Sequence, residues 1–127
     1  ILEVAVGDAV PGIPLTTDHW LPWLSAGKPL TAVLILQLVE RHELALDDPV
    51  TRFVPEFGQQ HKATVTLRHL LTHTAGMRTA DTGWPEATWE ATIARLCAAP
   101  LDADATPGQT AGYHVASSWF LLGAVLQ

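Results

Sequence analysis

The chain has a single cysteine, Cys97, so no internal disulfide can staple it and its redox compartment leaves no mark. Basic residues are scarce: seven Lys and Arg against 13 Asp and Glu give a net charge of −6. They are scattered and form no basic stripe, which argues against a nucleic-acid partner. The longest apolar run, Leu30 to Val39 with Thr31 and Gln37 interrupting it, is too short to span a bilayer, so no membrane segment is seen. Internal repeats, low-complexity tracts and a His-Glu-x-x-His zinc motif are absent. What remains is 127 residues, 48% hydrophobic and 16% charged, the composition of a globular chain long enough for one domain.

Both ends read as interior positions of a longer protein. Ile1-Leu2-Glu3-Val4-Ala5-Val6-Gly7 patterns as a strand without a start methionine, and Ser118 to Gln127 as an apolar helix that stops uncapped in mid-pattern. A lone edge strand beside several apolar helices exposes large apolar faces unless further chain covers them. The expectation is a fragment, whose residues leave localisation and oligomeric state open.

Among the residues present, Ser25 and Lys28 carry the most information. They form a Ser-x-x-Lys pair at the head of the apolar run. On a helix, residues three apart share a face, with Cβ atoms about 5–6 Å apart. A hydroxyl then sits beside an amine able to take its proton, the minimum equipment of a serine nucleophile. Pro29 suits the first turn of such a helix, where its missing N–H has no partner to lose. Ser25 therefore caps or opens the helix, with Lys28 one turn in. Leu30 to Val39 is apolar on nearly every side, which predicts a buried helix. Burial would lower the lysine pKa and free the neutral amine as a base. The competing local reading is a solvated lysine beside a plain N-cap serine, and the pair alone leaves both open.

Around this pair the organisation is legible. Val10-Pro11-Gly12-Ile13-Pro14 is a Pro- and Gly-bearing segment leading to the Trp20 to Trp23 stretch and the Ser25 helix. Leu44 to Val50 closes the Ser25 helix and starts a short one, with Asp47 and Asp48 at its acidic start and Pro55 at its end. Thr64-Val65-Thr66-Leu67 is extended and runs into a helical turn or two over Arg68 to His73, with Gly76 as a terminating residue of positive φ. A loop rich in Thr, Asp, Gly and Pro reaches Pro85, and Glu86 to Ala99 is an amphipathic helix. The Pro107-Gly108 turn delivers Tyr113 just before the last helix.

Ser25-Ala26-Gly27-Lys28-Pro29-Leu30-Thr31-Ala32 resembles the nucleophile motif of the class C β-lactamase-like serine hydrolases, a group that includes family VIII esterases, D-amino-acid peptidases and low-molecular-weight penicillin-binding proteins. Leu44 to Val50 with Val54-Pro55-Glu56-Phe57, then Thr64 to Met77, then Pro107-Gly108, Tyr113 and Leu121-Leu122-Gly123 are similar to later segments of that family, in the same order. The resemblance implies an α+β fold of the serine β-lactamase/transpeptidase type, an antiparallel sheet flanked by helices plus a helical region. Residues 1–127 would be a partial domain, incomplete at both ends. It implies Ser25 as nucleophile forming an acyl-enzyme, Lys28 taking or relaying its proton, and Tyr113 as general acid/base at the leaving group. One oxyanion donor would be the Ser25 backbone N–H, and the second would come from a strand beyond residue 127. The substrate would be a small-molecule ester or amide, with no metal and no organic cofactor required.

The chain departs from the family at its second motif, which is usually Tyr-x-Asn and here reads Tyr113-His114-Val115. An extra residue separates that tyrosine from Leu121-Leu122-Gly123. Penicillin-recognising members use the asparagine to hold a substrate amide, so the reading favours an esterase or transacylase over a β-lactamase or D-peptide-cleaving enzyme. The third motif lies outside this chain, and the isolated chain is not expected to be competent. A binding or scaffolding relative that has lost activity is the first rival, motivated by Val115. A small helical domain with Ser25 as a mere cap is the second. His61, His69 and His73 are read as structural rather than zinc-binding, and Cys97 as a small buried hydrophobe. The five tryptophans are read as core, except that Trp84, in the most loop-like segment, is a candidate for lining an acyl pocket.

Overall fold

A computed structural model describes residues 2–127. It is mostly helical, with one two-stranded antiparallel sheet among the described residues. The strands are β1 (Asp8–Val10) and β2 (Ile13–Pro14), with Val10 opposite Ile13. Pro11 and Gly12 form the turn between them: proline presets φ at the first corner, and glycine takes φ +82° at the second. Asp8 locks the turn by accepting the Gly12 N–H at 2.9 Å. The strand expected over Ile1 to Gly7 is not there. Residues 2–7 are irregular, Ile1 lies outside the described residues, and pairing begins only where the Pro-Gly turn folds the chain back on itself.

A 3₁₀ turn over Leu24–Gly27 leads into α1 (Lys28–Glu40). Ser25 makes no capping bond, Gly27 is the residue before the helix, and Lys28 is its first residue rather than one turn inside. Pro29 explains the offset, because proline in the first turn lets the helix start here and no earlier. The expected burial of α1 is also overturned. Ile35 is its one fully buried residue, while Leu30 is 57% and Leu36 49% exposed. Helix α1 is apolar all round, but the neighbours described here cover one side only.

Two 3₁₀ turns follow, over Val50–Arg52 and Pro55–Gly58, so Pro55 opens the second instead of ending the first. Asp47 and Asp48 do not cap them. Asp48 accepts the Ala45 N–H at 2.7 Å and pairs with Arg52 at 2.5 Å, and Asp47 takes a two-pronged bond from Arg68. Val50 N–H donates to Val65 across a single bridge between Pro49 and Thr66. Helix α2 (Leu67–Leu71) is then capped reciprocally: Thr66 Oγ1 accepts from His69 N–H, and His69 Nδ1 accepts from Thr66 N–H.

Helix α3 (Trp89–Ala98) starts on Thr88, which accepts the Ala91 N–H, and buries Thr92, Leu96 and Cys97. Helix α4 (Ser117–Val125) buries Leu121 and Leu122. These meet Leu67 and Leu70 of α2, Phe57 and Met77 in one core, which Ile35 of α1 joins. That core holds the head of α1 beside the segment before α4.

Candidate active site

Helix α2 ends at Leu71, five residues before Gly76, so the glycine is not its terminator. His73 takes the left-handed position instead, at φ +59°, with Thr74 N–H returning to the His69 carbonyl at 2.9 Å and His73 N–H to Leu70. Left-handed backbone is uncommon outside glycine, although His is among the side chains enriched there. Gly76 has its own reason for being glycine: φ is +75°, and a Cβ there would lie 2.7 Å from that of Ala105.

From this bend the chain is sewn to the loop that precedes α4. Gly108 N–H donates to Thr74 and Asp102 N–H to Gly76. The Asp102 carboxylate receives the backbone N–H groups of Arg78 and Thr79 and the Thr79 hydroxyl. Met77 N–H donates to His114 Nε2 at 2.8 Å, and Ser117 Oγ to the Met77 carbonyl at 2.7 Å. These bonds satisfy loop backbone that would otherwise be buried without partners.

The stitching delivers Tyr113 to Ser25, 88 residues earlier in the chain. Tyr113 OH donates to Ser25 Oγ at 2.7 Å, and Lys28 Nζ donates to the same oxygen at 2.9 Å. Lys28 Nζ also lies 5.2 Å from the Tyr113 ring centroid and 5.6 Å from that of Trp119. All three sequence-expected residues therefore meet at one oxygen. Ser25 and Tyr113 are exposed, and Lys28 is half-buried rather than buried. The Ser25 hydroxyl, and after it the Lys28 ammonium, draw the Tyr113 phenol below its ordinary value of 10.0. A tyrosine so placed can exchange a proton with the serine. Leu24, directly before Ser25, holds φ +46°, a strained conformation for a bulky residue at the edge of the site.

Beside Ser25 and Lys28 opens a cleft of about 550 Å³ whose walls include Trp84, Trp89, Trp119, Phe120 and Val115. Trp84, the candidate pocket residue, is among its walls. Trp89 and Trp119, read as core, line it too. Val115, at the second-motif position, stands 68% exposed, and His114 is fully buried. Burial, with His73 adding to it, holds His114 below the ordinary histidine value.

His73, read from the sequence as structural, makes hydrogen bonds around the bend after α2 and also borders the site. Its ring lies 4.7 Å from Tyr113, 5.5 Å from His114 and 5.7 Å from Trp119, centroid to centroid. Burial, and then the nearby Lys28, lower its pKa from 6.5. In the sequence His73 stood only as the far member of an i, i+4 pair with His69. The bend that turns it away from His69 has no composition signal.

Comparison with known proteins bears on this arrangement. A family model described as Beta-lactamase matches residues 2–127. Esterase EstB of Burkholderia gladioli is 43% identical over 76 residues, covering 57% of this chain and 19% of that protein. Esterase/beta-lactamase LipL of Mycobacterium tuberculosis is 31% identical over 116 residues, 82% of this chain and 26% of its own length. A crystal structure of a penicillin-binding protein homologue from Caulobacter crescentus superposes with a TM-score of 0.69 at 32% identity, over 94% of this chain and 32% of that one. The chain thus spans about a fifth to a quarter of the length of these curated relatives.

Proposed function

The chain belongs to the beta-lactamase family, and from that premise we propose that it carries the nucleophile and proton-transfer groups of a serine hydrolase or acyltransferase acting on esters. The described residues are read as part of an α+β fold of the serine β-lactamase/transpeptidase type. Ser25 Oγ attacks the acyl carbonyl carbon while its proton passes to the neutral-amine form of Lys28 or the phenolate form of Tyr113. The two groups exchange a proton through the Ser25 oxygen they share. The tetrahedral intermediate collapses, Tyr113 returns a proton to the leaving alkoxide, and the acyl group stays on Ser25. Water then regenerates the serine and releases the acid, or a second alcohol takes the acyl group. The Ser25 backbone N–H serves as one oxyanion donor. This chemistry calls for no metal or organic cofactor.

The observation that carries the reading is the meeting of the Lys28 and Tyr113 head groups on the Ser25 oxygen. The cleft supports an ester of an apolar acid, because its walls beside Ser25 are aromatic and Val115 presents methyl groups where an amide would grip a peptide-like substrate. A second reading, cleavage of amides such as β-lactams or D-peptides, draws on the relative named esterase/beta-lactamase and on a 40% identical penicillin-binding protein 4* of Bacillus subtilis. A silent binding relative is the third, motivated by Val115.

The test is intact-mass analysis of the full-length polypeptide after brief exposure to p-nitrophenyl esters of rising acyl length. One acyl adduct should map to Ser25, vanish in Ser25→Ala and form about 10²–10⁴-fold more slowly in Lys28→Ala. An adduct that persists undiminished in Ser25→Ala would remove Ser25 from the reaction. A full-length protein that acquires no adduct would favour the silent relative.

A further inference from the structure

Three contacts of His73 converge on one neighbour. Its backbone carbonyl accepts the N–H of Gly112 at 2.9 Å. Its ring Nδ1 accepts the N–H of His114 at 3.0 Å. Between those two residues stands Tyr113, whose ring packs against the His73 ring at 4.7 Å. The residues on either side of the tyrosine are thus hung from one histidine, which also braces its side chain. The left-handed φ of +59° turns both acceptors toward the same strand of chain. A strained conformation in a residue that touches a site is the kind that the surrounding structure must hold in place.

We propose that His73 is a positioning residue for Tyr113: as a neutral ring it fixes the backbone on both sides of the tyrosine and so sets the phenol on the Ser25 oxygen. This rests on the role proposed above for Ser25 and Tyr113, and it adds a residue that itself touches no reacting atom. Nδ1 can accept only when unprotonated, so His73 is the tautomer with its proton on Nε2. Protonating Nδ1 would turn one donor against another, and the His114 end of the clamp would open. The charged or titratable groups facing His73 are Lys28 from α1 and Tyr113 and His114 from the segment before α4, with Arg78 and Asp102 acting on His114 from behind. Lys28 and burial both favour the neutral ring, which is the form the clamp requires.

Two substitutions separate the clamp from mere packing. His73→Asn keeps an acceptor on the γ carbon and tolerates left-handed backbone, but loses the titrating ring. His73→Phe keeps a ring and loses the acceptor. Tyr113 is the single tyrosine of these 127 residues; in the full-length polypeptide its ¹³Cζ-tyrosine signal is identified by its loss in Tyr113→Phe and follows its ionisation whether or not the preparation is active. In His73→Phe the phenol pKa should move back up toward 10 and Ser25 acylation by p-nitrophenyl acetate should slow about 10²-fold, the scale of a 1 Å misplacement. In His73→Asn the phenol should titrate as in the parent and acylation should stay within a few-fold. In a pH profile of acylation, the fall toward acid that His73 protonation causes in the parent should be absent from His73→Asn. Melting temperatures measured alongside identify any variant that has simply lost its fold, in which case ¹⁵N-histidine shifts of the parent decide: a protonated His73 Nδ1 at pH 7 overturns the proposal. So does a folded His73→Phe with unchanged Tyr113 titration, or a folded His73→Asn as impaired as His73→Phe. Acylation that survives Ser25→Ala would instead sink the functional reading, leaving the tyrosine titration to judge the clamp.

Discussion

Lys62 is fully buried, and among the described residues no carboxylate lies within salt-bridge distance of it. Its ammonium donates to the Cys97 carbonyl at 2.8 Å and to the Ala99 carbonyl, at the C-terminal end of α3 where the helix dipole is negative. The Phe57 ring centroid lies 5.2 Å away. Burial pushes the amine below its ordinary 10.5. Lys62→Met keeps the stem and removes the head. The buried Cys97 carbonyl left without its donor costs about 1–3 kcal/mol, and the part-buried Ala99 carbonyl, which water can reach, adds less. Removing a charge that had to be desolvated returns part of that. The net expectation is a loss of about 1–3 kcal/mol, a sizeable share of the roughly 5–15 kcal/mol that holds a domain together. Thermal melting should fall on the order of 10 °C. The urea midpoint should fall with an unchanged slope. A variant as stable as the parent, or more so, would refute the reasoning: the cation would then be a burden that a hydrophobe relieves, and the α3 carbonyls would have found other donors.

Gly76→Ala must accept a left-handed φ and push its Cβ against Ala105, so it should lose about 2–4 kcal/mol by chemical denaturation; a loss under about 0.5 kcal/mol would mean that the bend after α2 relaxes freely. Thr66→Ala removes one half of the reciprocal cap on α2 and should cost about 1 kcal/mol, with hydrogen exchange rising first at His69. Stability should also fall on acidification. His73 and His114 both titrate below 6.5 when folded, so their stabilising contribution is complete above 6.5 and is lost as pH falls through their lowered values. Melting temperature measured from pH 7 to pH 5 should decline above the range where the lowered carboxyls of Asp47 and Asp104 take up protons. A flat profile there would contradict the burial of the two rings.

Where the signal was local, the sequence carried it. Ser25 and Lys28 meet because they are three residues apart at a helix head. A helical turn or two was expected after Thr64 to Leu67 and is found as α2, whereas the Thr66 cap and the Pro11-Gly12 hairpin turn were not read. The apolar run correctly marked α1 as a helix, but burial depends on what packs against a surface, and the described neighbours cover Ile35 while leaving Leu30 and Leu36 in the open. Helix boundaries moved by a residue or more wherever a cap rather than a pattern decides them, as at Thr88 before α3.

What only the tertiary structure decided is the convergence of distant pieces. Residues 101–116 pointed to Tyr113 as a partner of Ser25 only through the family resemblance. No local pattern shows the contact, since the path runs through backbone bonds between two irregular loops that carry no periodicity. That His73 borders the site was hidden for the same reason. Its ring matters because a left-handed bend aims it at Tyr113, and that bend is affordable only once Gly112 and His114 are there to hold it. Chemistry-bearing residue types and their short-range spacing are fixed along the chain, whereas their distances across it are fixed by the core and by hydrogen bonds that exist only after folding.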